Sequence, residues 1–209
     1  MTEYLVPTAS SQTEFVEKRS RFLSHVWRVE TEDEARAYIA ETKSRHHDAR
    51  HNCWCYILRE GNVMRYSDDG EPQGTAGQPM LEVFRREGIE NVCCVVTRYF
   101  GGILLGAGGL LRAYTRSSKD ALDAAGISVV RRWVLASVAC PYPLFDRMKL
   151  QIEGFGGVLD EVNYGVAVDI QFLLPEESLP IFSESVTEFT AGSVSVSVLG
   201  ERFQAVPRP

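Results

Sequence analysis

Hydrophobic positions along this chain recur at two periods, and each change of period marks an element. Tyr4 to Val6 and Phe15 to Val29 read as strands around a polar loop at Ser10-Ser11-Gln12. From Thr31 the spacing turns helical: Ala35, Tyr38, Ile39 and Thr42 form one stripe, and Thr31 with Glu34 makes a capping box before an end near Lys43. His51 to Leu58 returns to strand, Gly61-Asn62 signals a hairpin, and Val63 to Tyr66 is its second arm. A capping box of Thr75 and Gln78 starts the next helix, with Met80, Val83 and Phe84 inward and Gly88 closing it. Asn91 to Arg98 is apolar on both faces, which predicts a central strand.

That strand empties into VVTRYFGGILLGAGGLLRAY, Val95 to Tyr114, with glycines at 101, 102, 106, 108 and 109 and a helix expected from near Leu110. Glycines in so apolar a segment imply positive φ or a close backbone approach. Leu110, Ala113, Tyr114, Ser117, Ala121 and Ala124 line the buried face, while Arg112, Arg116 and Lys119 lie on the other. Early cations oppose the helix dipole, and an anion seated at the loop would reverse that sign. A plain tight turn with a solvated basic face fits the same pattern. A Walker loop is excluded, because the loop ends Gly108-Gly109-Leu110-Leu111 rather than Gly-Lys-Ser/Thr. The dinucleotide fingerprint is excluded because Arg98, Tyr99 and Phe100 separate strand from glycines.

After Gly126 the pattern changes, with Arg131-Arg132-Trp133 reading as a junction. Val134, Ala136, Val138 and Cys140 alternate; Pro143 opens a helix with Leu144, Phe145, Met148 and Ile152 inward. Val158 to Asn163 and Val166 to Leu174 form a hairpin, a helix carries Leu179, Phe182, Val186 and Phe189, and Val194, Val196 and Val198 make a last strand. This is βαββαβ, a ferredoxin-like unit. The expected fold class is α+β in two domains, 1–130 and 134–200, with a tail at 201–209.

Composition changes this picture in three ways. No apolar run approaches a membrane span and the N-terminus has no signal pattern, so a cytoplasmic protein without membrane attachment is expected. Five cysteines, two adjacent at 93 and 94, form no disulfide framework. Residues 1–132 carry 18 Lys+Arg and 18 Asp+Glu, whereas the remainder carries 4 and 10, so the whole net charge of −6 lies there. Charge therefore steers any nucleic acid to the N-terminal part; Arg147, Lys149, Arg202 and Arg208 are the only cations of the rest.

His46, His47, His51, Cys53 and Cys55 are metal-ligand types. On a strand, however, His51, Cys53 and Cys55 sit ~6.6 Å apart along one face, too far for tetrahedral zinc. No metal and no cofactor is expected. Asp68, Asp69 and Glu71 form a solvated acidic turn or an oxygen site for Mg²⁺ beside a phosphate.

SDDGEPQGTAGQPML (Ser67 to Leu81) and TRYFGGILLGAGGLLRAY (Thr97 to Tyr114), with HHDARHNCWCY upstream, together closely resemble the YigZ/IMPACT family. The matching positions are Asp48, His51 and Cys53; Asp68, Asp69, Gly70, Glu71, Pro72, Thr75, Ala76 and Gly77; and Arg98, Tyr99, Gly101, Gly102, Leu105, Gly106, Gly108, Gly109, Leu110 and Tyr114. The resemblance implies an N-terminal domain with the fold of the second domain of ribosomal protein S five. It also implies a C-terminal ferredoxin-like domain resembling one of elongation factor G. Eukaryotic relatives regulate translation through an added RWD domain that this sequence is not expected to carry.

The leading expectation is a non-catalytic protein that binds RNA, the ribosome or translation factors. Phosphate would sit at Gly101, Gly102, Gly106, Gly108 and Gly109, with charge from Arg98, Arg112 and Arg116, stacking by Tyr99, and Asp48, His51, Asp68, Asp69, Gly70, Glu71 and Thr75 as further ligand contacts. A second reading is a Mg²⁺-dependent enzyme on a small phosphorylated compound, which requires the acidic turn and glycine loop to share one cleft. A third is a protein-docking patch, which requires Ile103, Leu104 and Leu105 to be exposed. No catalytic residue, oligomeric state or pathway follows from the pattern.

Overall fold

A computed structural model describes residues 3–207, which form a mixed α/β fold of two compact units, Tyr4–Val130 with the chain end from Ala205, and Arg131–Gln204. In the first unit β1 (Tyr4–Pro7) is followed by β2 (Ser11–Glu17), β3 (Ser20–Arg28), α1 (Glu32–Arg45), β4 (His51–Leu58), β5 (Val63–Ser67), α2 (Gly77–Arg86), β6 (Val92–Tyr99) and α3 (Ala107–Ala125). Strands order as β2-β3-β6-β4-β5, every pairing antiparallel, with the doubly apolar β6 in the centre as expected. Alternation explains its composition: Val92, Cys94 and Val96 pack with α2 and α3, whereas Cys93 and Val95 pack with α1. The same rule sends Cys53, Cys55 and Ile57 of β4 one way and Trp54, Tyr56 and Leu58 the other.

Several boundaries differ from the sequence reading. Ser11 and Gln12 belong to β2, because the true hairpin turn is Lys18-Arg19, both with positive φ (46° and 66°) as a two-residue primed turn requires. Thr31 caps α1 as expected, its hydroxyl accepting from the Glu34 N–H at 3.2 Å. Thr75 does not cap α2: its hydroxyl donates to the Pro72 carbonyl at 2.6 Å. The orphan N–H groups there are met instead by Asp68, whose carboxylate accepts from Gly74 (2.8 Å), Ala76 (3.0 Å) and Gly77 (2.9 Å). Ala124 is exposed, and Leu122 and Ala125 take its place in the buried stripe.

β7 (Ile127–Cys140) pairs through Ile127–Val130 with β1 and through Trp133–Cys140 with β9. Arg131-Arg132-Trp133 is thus continuous strand, and the boundary between the two units falls at Arg131, at the expected junction. α4 (Phe145–Gly154), β8 (Val158–Tyr164), β9 (Val168–Pro175), α5 (Leu179–Phe189) and β10 (Ser197–Pro207) complete the chain. β8 pairs β9, and β10 pairs β7. The last strand therefore begins at Ser197, beyond Val194 and Val196, and occupies most of the segment read as a tail; Arg208 lies outside the described residues. Its core is built on Ala136, Val138, Met148, Ile152, Ile170, Phe172, Phe182 and Val186.

His25 on β3 is buried beside Trp27 and His46, and its Nε2 has no hydrogen-bond partner. Burial, then the neighbouring His46 and Arg45, holds its pKa down to about 4. The unfolded chain binds this proton near the ordinary histidine value and the folded one does not, so stability falls as pH drops from about 6.5 towards 4. We expect urea unfolding to show a loss on the order of 1–2 kcal/mol between pH 7 and pH 5 that His25→Gln removes. An unchanged pH slope in that variant would refute the assignment.

Candidate functional site

The sheet places His51 and Arg98 directly opposite one another, since His51 of β4 registers with Arg98 of β6. Even-numbered positions of β6 face α2 and α3, so the Arg98 side chain lies under α3, where it is 5% exposed. A buried guanidinium needs a counter-charge. Glu71 supplies it: Arg98 Nη1 donates to Glu71 Oε1 at 2.7 Å, and Tyr114 Oη of α3 donates to the same oxygen at 2.8 Å. Arg98 Nη2 donates to Ser20 Oγ at 3.3 Å, while Nε is buried with no acceptor.

Glu71 reaches this position because Asp68-Asp69-Gly70 turns sharply, with φ of 43° at Asp69 and 85° at Gly70, closed by the Glu71 N–H on the Asp68 carbonyl at 2.9 Å. That carbonyl also accepts from the Cys53 thiol at 2.9 Å. His51 Nδ1 meets the Asp69 carbonyl at 2.9 Å, which makes Nδ1 the protonated nitrogen, and Nε2 stands 3.8 Å from Glu71 Oε2. Burial, first, and the nearby Glu71 raise the Tyr114 and Cys53 pKa values far above their ordinary ranges. Both groups therefore keep their protons, and Cys53 is no thiolate nucleophile.

This polar cluster forms the floor of a cavity of about 290 Å³ at the N-terminus of α3. His51, Gly70, Glu71 and Arg98 line it on one side, and Gly106, Ala107 and Leu110 on the other. Arg50 joins the lining, and Pro72, Phe100, Leu104 and Leu105 are its apolar walls. α3 starts at Ala107, three residues before the expected Leu110. Gly106 is its N-cap at φ 73°, so no cap side chain covers the first N–H groups. A second hollow of about 200 Å³ shares Leu105 and is lined by Lys18, Gly109, Arg112 and Arg116, with Phe15 under the Arg116 guanidinium at 4.7 Å.

Of the expected contacts, His51, Gly70, Glu71, Arg98 and Gly106 meet in the first cavity and Gly109, Arg112 and Arg116 in the second. The others do different work. Asp48 accepts from Tyr99 Oη at 3.0 Å, and that hydroxyl also meets His46 Nδ1 at 2.9 Å, so Tyr99 is fixed beside the α1–β4 loop. Asp69 accepts from the Asn52 N–H at 2.7 Å and pairs with Lys43 at 2.6 Å. With Asp68 engaged as a helix cap, the acidic turn has no carboxylates free for Mg²⁺, and among the described residues no group of three or more ligand side chains could hold a metal. Gly101 packs against the Arg19 backbone, and Gly102 and Gly108 line neither cavity. Lys18 and Arg50, which line the two cavities, are not among the expected contacts. Ile103 and Leu104 are exposed, at 42% and 81%, but Leu105 is buried. Among the described residues no helix is long and apolar enough to cross a membrane.

Residues 18–122 match the Impact N-terminal domain, and residues 138–193 match a domain of unknown function, DUF1949. The chain is 37% identical over 194 residues to IMPACT family member YvyE of Bacillus subtilis, covering 92% of this chain and 89% of that protein. It is 30% identical over 206 residues to IMPACT family member YigZ of Escherichia coli, covering 96% and 100%. A crystal structure described only as that of a hypothetical protein superposes with a TM-score of 0.60 at 29% identity, covering 95% of this chain and 98% of that one.

Proposed function

This chain belongs to the IMPACT family, and on that premise we propose that it is a non-catalytic RNA-binding protein whose N-terminal unit grips backbone phosphate around the glycine loop. One observation carries this reading. Among the described residues, the Lys and Arg side chains with no acidic partner are Lys18, Arg19, Arg50, Arg65, Arg112 and Arg147, and four of these border the glycine loop and the first turn of α3. Elsewhere among the described residues, all cations but Arg65 and Arg147 are neutralised in ion pairs. Unpaired cations gathered beside an uncapped helix N-terminus favour phosphate. Two adjacent hollows separated by Leu105 suit successive phosphates of one strand. The strand order β10-β7-β9-β8 with α4 and α5 supports a ferredoxin-like C-terminal unit. An antiparallel sheet under α2 and α3 supports the ribosomal protein S five domain 2-like reading, and both analogies favour a partner in translation.

Fluorescence anisotropy of the whole chain with a single-stranded RNA of mixed sequence tests this. With four cations engaged, log affinity falls against log salt with a slope of about −3, and Arg112→Glu removes about one unit of that slope. Binding indifferent to salt would sink the phosphate reading. A second reading, an enzyme acting on a small phosphorylated compound, is favoured by one fact: the acidic turn and the glycine loop share a single cavity. Its Mg²⁺ component has no free carboxylate set to rest on.

A further inference from the structure

We propose that the face of the N-terminal sheet turned away from α2 and α3 carries a nucleotide-binding hollow, in which Trp54 stacks on an unpaired base and Arg36 and Arg65 hold its phosphate. This rests on the RNA-binding reading for the source of the base, and it adds a contact separate from the glycine loop. The two faces of the sheet are covered by different helices. α2 and α3 pack over Cys53, Cys55, Cys94 and Val96, whereas α1 packs on the other face, over Tyr56, Cys93 and Val95. β5 is an edge strand, and a hollow of about 360 Å³ is left between α1 and the β4–β5 ribbon. Arg36 and Ile39 of α1 line it on one side, and Trp54, Tyr56 and Arg65 on the other.

The lining decides the ligand. Trp54 and Tyr56 are alternate residues of β4 and so share a face; their rings stack with centroids 5.6 Å apart and planes within 8°. Tyr56 is buried and its hydroxyl donates to Glu32 Oε2 at 3.1 Å, which fixes the ring that braces the half-buried indole. Arg36 Nη2 donates to the same carboxylate oxygen at 2.9 Å. Arg65, exposed and opposite Tyr56 in register, has no acidic partner, and its Nη1 donates to the Met64 carbonyl at 3.0 Å. Two guanidinium groups against one carboxylate leave the hollow positive in a chain whose net charge is −6. Cations beside the indole reject a quaternary ammonium or methylated lysine, the usual charged guests of aromatic sites. A purely apolar guest would leave the guanidinium groups unused. A nucleotide supplies a flat ring and an anion one sugar apart, and arginine suits both the phosphate and the ring. The volume is that of a small-ligand site, enough for one base with its sugar and not for a duplex. A base held in a pair has no free face to offer, so the ligand is single-stranded or free.

The test measures anisotropy of a short labelled single-stranded RNA and of the same backbone made abasic, with adenosine monophosphate titrated by calorimetry. Wild type is compared with Trp54→Leu, Trp54→Phe and Arg65→Glu. Trp54→Leu should weaken the single strand about ten-fold and leave the abasic backbone unaffected, while Trp54→Phe, which keeps a ring, should cost about three-fold at most. Arg65→Glu changes an exposed side chain, so it keeps the fold, and it should weaken the single strand about ten-fold as well. Mononucleotide binding as tight as that of the strand, and lost in Trp54→Leu, identifies a free nucleotide as the ligand; weaker binding identifies RNA. Single-strand affinity unchanged in both Trp54→Leu and Arg65→Glu overturns the inference, and a loss confined to Arg112→Glu would then leave the glycine-loop reading standing. Equal weakening of the single strand and the abasic backbone by Trp54→Leu also overturns it, since the contact is then not with a base. Binding that depends on Trp54 and is indifferent to Arg112→Glu upholds the inference and removes the glycine loop. Binding of neither RNA nor mononucleotide overturns both and leaves the hollow to a protein partner.

Discussion

Glu71→Ala is expected to lower the unfolding free energy by about 3–5 kcal/mol, measured by urea denaturation at neutral pH. The magnitude comes from what it leaves behind. Arg98 is held under α3 with a side-chain exposure of 6%, and Glu71, at 3%, is its acidic partner. Removing the carboxylate strands a buried guanidinium and takes the acceptor from Tyr114, whose hydroxyl sits in the core. The double variant Glu71→Ala, Arg98→Met removes both charges and should recover more than half of the loss, because paired burial is costly on both sides. Additive losses in the double variant would mean the two residues are not coupled and would contradict the site as described. Lys43→Ala, at an exposed pair with Asp69, should cost less than about 1 kcal/mol.

Gly101→Ala is expected to cost about 3 kcal/mol, at the upper end of overpacking. A Cβ there would lie 2.0 Å from the Arg19 carbonyl carbon, 2.1 Å from its oxygen and 2.5 Å from its Cβ. These are mostly backbone atoms, so no rotamer change relieves the contact and the Lys18-Arg19 turn must move. That turn also carries two of the unpaired cations, and the Gly101 N–H donates to Ser20 Oγ, which in turn meets Arg98. The variant should therefore lose RNA affinity together with stability. Gly102→Ala, where nothing lies within 4 Å of the added carbon but φ is 83°, should cost about 1 kcal/mol and leave the turn in place. Equal thermal midpoints for wild type and Gly101→Ala would contradict the packing.

Much of this arrangement is legible in the chain. Continuous apolar character placed β6 at the centre of the sheet, and the alternation from Val134 predicted the β7 face that holds Val134, Ala136, Val138 and Cys140. The α3 start was placed late because Gly108 and Gly109 are poor helix formers; tertiary contact overrides this, since a Cβ on Gly109 would press Leu105 at 3.0 Å. Glu71 sits in a run that reads as solvated, and only an arginine 27 positions away on a different element makes it buried. Asp68 likewise gives no local sign that its carboxylate caps a helix eight and nine residues on. The last strand is expected from Val194 to Val198 and the rest of β10 falls in the 201–209 tail; pairing with β7 and the ion pairs Arg132–Glu201 and Arg202–Asp160, which extend the strand, are long-range facts.

The proposed phosphate-gripping surface is the glycine loop with the start of α3. The most direct test follows backbone amide shifts of the isotope-labelled whole chain as a short RNA is added. The largest movements are expected at Gly106, Ala107, Gly108 and Gly109, with smaller ones at Lys18, Arg19 and Arg50, and reversal on adding salt. Movements confined to the acidic unit, Arg131–Gln204, with the α3 amides unmoved, would contradict it.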